Sequence, residues 1–89
     1  MSDPSHATQM MRFLTRRALG ELGALQASVH ELGTHRNTAL RMFVASRYAA
    51  TAMAQRDFWL EFAWADQEYR IAVRRLAQFC ADHRDSARR

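Results

Sequence analysis

The sequence predicts an all-α protein, an antiparallel helical hairpin with a long second helix. Three observations point there. The three glycines and single proline all precede residue 34, so nothing beyond that point breaks a helix strongly. Apolar residues recur at spacings of three and four, the period of a helix with a buried stripe. Apolar residues make up 48% of the 89 and charged residues 25%, a globular balance rather than a disordered one, in a chain of single-domain size (residues 1–89).

Asp3 suits a helix N-cap and Pro4 a first helical position, with residues 1–8 expected to fray. The first helix is expected over residues 9–32. Its apolar set, Met11, Leu14, Ala18, Leu22, Leu25, Val29 and Leu32, falls on one stripe, and Gly20 and Gly23 fall on the other side. Gly33 follows in the position that a left-handed C-cap favours, so residues 33–37 read as a turn, with Thr34 or Asn37 capping the next helix.

The second helix is expected over residues 38–83 and carries two stripes. One runs from Leu40 and Val44 through Thr51, Phe58, Phe62, Ala65, Tyr69, Ala72 and Leu76 to Phe79. The other contains Met42, Ala49, Met53, Leu60, Trp64 and Ile71, and stays in phase at about 3.6 residues per turn. That phase favours one continuous helix. The alternative is a monomeric three-helix bundle with a break near Ala54–Asp57, where Asp57 caps a third helix. Arg41, Arg56, Arg70 and Arg74 take one flank and Asp57, Glu61 and Glu68 the other, with Asp66 and Arg70 spaced for an ion pair. The tail, residues 84–89, has no apolar period and is expected to be disordered.

A first helix of about 25 residues spans roughly 38 Å, whereas the second would span roughly 70 Å. The overhang from Phe62 to Phe79 would then lack intrachain cover. Monomers seldom expose so large an apolar patch, so two hairpins are expected to pair into a four-helix bundle.

The chemistry-bearing residues form no recognisable constellation. His30, Glu31 and His35 are neighbours, but only Glu31 and His35 share a face, and no second ligand pair appears. Glu61 and Glu68 lack the Glu-x-x-His partners of a di-iron bundle. Cys80, the only cysteine, excludes an internal disulfide and falls on the apolar stripe. No phosphate-binding glycine loop or nucleophile triad is visible. The expectation is a non-enzymatic protein without cofactor or metal.

All thirteen basic residues are arginine, as a GC-rich bacterial genome would encode, and the formal net charge is +4. Arg70, Arg74, Arg75 and Arg84 are the candidate nucleic-acid contacts, although six acidic residues from Asp57 onward offset their field. An amphipathic lipid-surface or granule-surface protein is a further alternative, since Trp-bearing helices with arginines beside them can lie in an interface. The leading expectation is a protein–protein interaction module, a homodimer, adaptor or chaperone-like subunit, with Met53, Trp59, Leu60, Trp64 and Ile71 as its contacts. Trp59 lies on the arginine flank and on neither stripe. With no apolar signal-peptide core and no run near the roughly 20 residues of a membrane span, a cytoplasmic location is expected.

Overall fold

The computed structural model describes residues 15–87, which form two helices packed antiparallel as a hairpin, α1 (Arg16–Ala49) and α2 (Ala52–Ala87). Asp3, Pro4, Met11, Leu14, Arg88 and Arg89 lie outside the described residues. Helices of 34 and 36 residues span about 51 and 54 Å, matching a rod-like molecule of 58 × 28 × 18 Å.

Thr15 begins α1 as its N-cap, in extended backbone, and its Oγ1 accepts from the Ala18 amide at 3.1 Å. The helix then runs through Gly33–Asn37 without interruption. This corrects the expected turn there. Gly33 ends no helix: a Cβ at this position would come within 3.2 Å of the Tyr69 ring, so the glycine lets α2 approach closely. Thr34 caps nothing either, since its hydroxyl donates back to the His30 carbonyl at 3.0 Å, within the helix.

The chain reverses instead at Ala50 and Thr51. Ala50 leaves the helix with φ −104° and ψ 158°, while its amide still donates to the Ser46 carbonyl at 3.0 Å. Thr51 then caps α2, its Oγ1 accepting from the Ala54 amide at 3.2 Å, and the Gln55 side chain donates to the Ala50 carbonyl at 3.1 Å. Two residues and three polar contacts thus complete the reversal without glycine or positive φ. The single helix over 38–83 is therefore corrected to two helices that meet at this turn, and no break occurs at Ala54–Asp57 to make a third. Helix persists through Ala87, where a disordered tail was expected from residue 84.

Moving the turn makes the helices nearly equal, and the overhang disappears. Partners across the hairpin lie symmetrically about residue 51: Gly33 meets Tyr69, Arg36 meets Asp66 and Phe43 meets Trp59. Along α1 the seam is Ala18, Leu22, Leu25, Val29, Leu32, Arg36, Ala39, Phe43 and Ser46. Along α2 it is Gln55, Phe58, Phe62, Ala65, Tyr69, Ala72, Leu76, Phe79 and His83. Every one of these positions is buried or half-buried. Spacings alternate strictly between three and four, the 3.5-residue repeat of a coiled-coil pair.

The core is thin. Among the described residues the buried apolar side chains are Ala18, Leu22, Ala39, Ala65, Ala72 and Phe79, of which only Leu22 and Phe79 are large. Those two and Ala18 form one cluster, with Leu25, Leu76 and Cys80 packed against it, at the end of the hairpin away from the turn. Cys80 is a half-buried free thiol there. His83 closes this end, stacked on the Phe79 ring at 3.9 Å, its Nδ1 2.9 Å from the Phe79 carbonyl oxygen.

Candidate functional site

The seam leaves two broad faces, and the functional candidates divide between them. On the first, Arg36 occupies a seam position that heptad packing normally gives to an apolar residue. Fully buried Ala65 opens room for it, and the guanidinium lies over the Phe62 and Tyr69 rings at 5.4 and 5.8 Å. Its Nε donates to Asp66 Oδ1 at 2.6 Å, and Arg70 reaches the other carboxylate oxygen at 2.9 Å. The Arg36 hydrogen bond is the main cause that holds the Asp66 carboxyl below its usual range; desolvation opposes it, and the Arg70 charge adds to the lowering. The Asp66–Arg70 pair is legible from spacing alone. Arg36 is not, because its partner is thirty residues away.

Trp59 belongs to this first face. It packs tilted against Phe43 at 5.4 Å and Phe62 at 5.8 Å, on the same side as Asp66 seven residues later. The structure thereby separates it from the other expected contacts.

The second face carries those others. A groove between the helices, about 260 Å³ in volume, is lined by Leu25, Ser28, Leu32, Glu68, Ile71, Ala72 and Arg75. Ile71 is half-buried in its wall. Trp64, one turn before Glu68, is 64% exposed beside it, and Met42, four turns beyond Ser28, is 50% exposed on the α1 side. Leu60 and Met53 continue the stripe around α2 toward the turn, 53% and 77% exposed. The stripe of Met42, Met53, Leu60, Trp64 and Ile71 thus lies outside the hairpin seam. Among the described residues this surface is apolar with an acidic border, since Asp57, Glu61 and Glu68 sit among these residues on the wheel.

The four arginines considered for nucleic acid do not converge. Arg70 is tied to Asp66, Arg74 Nε lies 3.5 Å from the Arg70 carbonyl, and Arg75 lines the groove on the second face beside Glu68. Arg84 stands in the last turn of α2. Among the described residues no His, Cys, Asp and Glu side chains gather closely enough to hold a metal ion. No described helix is long and apolar enough to cross a membrane. No protein-family model, curated protein or solved structure matches the sequence at a significant level.

Proposed function

We propose that this protein is a non-enzymatic helical interaction module that works as a homodimer, two hairpins joining through the Trp64 face into a four-helix bundle. The observation that carries the reading is the apolar stripe left outside the seam, with Met42, Met53, Leu60 and Trp64 between 50% and 77% exposed. The earlier rationale, an uncovered overhang, is gone. What replaces it is a thin core: among the described residues two large side chains are buried, which gives a two-helix hairpin little independent stability, and a second apolar layer would supply what it lacks.

Taking roughly 200 Å² for each full side chain, the four expose on the order of 500 Å² per chain. Two copies would then bury about 1,000 Å², near the lower bound for a specific interface, so the dimer should be concentration dependent. In the adaptor or chaperone-like form of the same reading, a partner's amphipathic helix takes the place of the second copy.

Light scattering on the eluting protein tests this. The expected mass is twice 10.3 kDa at high concentration, falling toward 10.3 kDa on dilution. Leu60→Ala with Trp64→Ala should hold the chain monomeric while helicity by circular dichroism is retained. A mass that stays at the single-chain value at every concentration rejects the homodimer.

A further inference from the structure

The turn end carries a second exposed apolar group, on the face opposite Trp64. Tyr48 is 89% exposed, Trp59 48% and Val44 46%. Val44 and Arg47 follow Arg36 around the same side of α1, and Trp59 precedes Asp66 on the matching side of α2. Exposed Arg41 and Arg56 stand at the two edges of this face. From residue 37 to residue 56 the chain has three arginines and no acidic residue. Asp57, next in sequence, turns with Glu61 and Glu68 toward the groove face.

We propose that this turn-end face, Val44, Tyr48 and Trp59 bracketed by Arg41, Arg47 and Arg56, docks on an anionic phospholipid surface. Charge decides against a second copy here, because pairing two turn ends would bring six arginines together, and the Asp66 carboxylate on this face is already held by Arg36 and Arg70. Shape decides against a peptide helix. The face lies at the turn end of a 58 Å rod, and the concavities that could seat a helix, lined by Leu25, Leu32 and Ile71 or by Tyr69 and Val73, lie farther from the turn. A soft anionic interface needs no groove to receive exposed rings. Indole and phenol rings partition to the headgroup level of such a surface, while guanidinium groups pair with its phosphates. Trp59 is already held in place by Phe43 and Phe62, so its docking orders little that is not ordered beforehand. Val44, Tyr48 and Trp59 do not belong to the dimer stripe, and the proposal stands without the dimer.

Vesicle flotation with the full chain tests it, comparing phosphatidylcholine vesicles with and without phosphatidylglycerol. A Trp64→Phe background leaves Trp59 as the sole tryptophan and a direct reporter. The expected result is flotation and a blue shift of Trp59 emission with the anionic vesicles alone, both reversed by salt. Arg41→Gln, Arg47→Gln and Arg56→Gln combined should weaken binding roughly a hundredfold, about fivefold for each arginine. These positions are exposed, and retained helicity confirms that the variant folds. Should it not fold, salt reversal and the Trp59 shift in the native arginine background decide alone. No flotation with anionic vesicles at low salt overturns the proposal. So does equal binding to neutral vesicles, or binding in which Trp59 emission does not move. Tighter binding to single-stranded nucleic acid than to the vesicles also overturns it, and assigns the arginines and rings to phosphates and bases.

Discussion

Arg36 shows how one residue can set the alignment of a whole hairpin. Its position in the seam tolerates a charge because Ala65 makes space, two aromatic rings receive the guanidinium, and the Asp66 carboxylate accepts from its Nε. A slip of the helices by one heptad would part Arg36 from Asp66 and leave a cation at an apolar seam. The pair therefore acts on register as well as on stability. Its pH dependence follows from the sign of the Asp66 shift. A carboxyl whose folded pKa is lowered contributes stability that is present above its unfolded value of about 3.9, and that is lost as pH falls through the folded value. Asp66→Asn should therefore show a shallower loss of stability below about pH 4 than the native chain in urea titrations. Identical acid limbs would mean that the ion pair adds nothing to folding.

At the scale of the helices, the position of the turn is the feature that decides the rest. Placed at Ala50–Thr51, it gives α1 enough length to cover the α2 seam from Gln55 to His83. Amide hydrogen exchange should report this directly. The amides of residues 34–37 should be protected as mid-helix groups, whereas those of Ala52 and Met53, in the first turn of α2, should exchange fast. The reverse pattern would restore the turn at Gly33. The two seams were largely legible in the sequence: Ala18 to Leu32, and Phe58 to Phe79, appear there as stripes with the right membership. The turn was not, for two physical reasons. Gly33 has the chemistry of a C-cap, and only its contact with Tyr69 reveals another role. The segment around Ala50 is alanine-rich and breaker-free, and the three-and-four repeat of α1 passes through Ala50 onto Met53, Leu60, Trp64 and Ile71 without losing phase. Local propensity there favours helix; the reversal rests on Thr51 and Gln55 and on the packing of the seams. The candidate site divides the same way. Exposure of Met53, Leu60 and Trp64 follows from their stripe, but the place of Trp59 depends on Phe43, which comes beside it only once the chain has turned.

Across the described residues, the buried apolar cluster and the shortest sequence separations lie at opposite ends of the hairpin. Near the turn, where partners are few residues apart, the buried seam position is Ser46, whose hydroxyl donates to the Phe43 carbonyl at 2.6 Å. The largest buried pair, Leu22 with Phe79, joins residues 57 positions apart at the far end. Closing a loop of that length directly costs about 3.6 kcal/mol in chain entropy, a cost largely avoided if pairing spreads outward from the turn. The kinetics should divide accordingly. Phe58→Ala should mainly slow folding, because its contacts form early, while Leu22→Ala, with a loss of about 2–5 kcal/mol, should mainly speed unfolding. Stopped-flow chevrons on a monomeric background measure both arms, and equal partitioning for the two variants would contradict a turn-first order. A chain built this way closes like a zipper whose last tooth is its most deeply buried. The helix ends away from the turn, where helices usually fray first, are here the clasp, with Ala18 and Leu22 of α1 closed on Phe79 of α2.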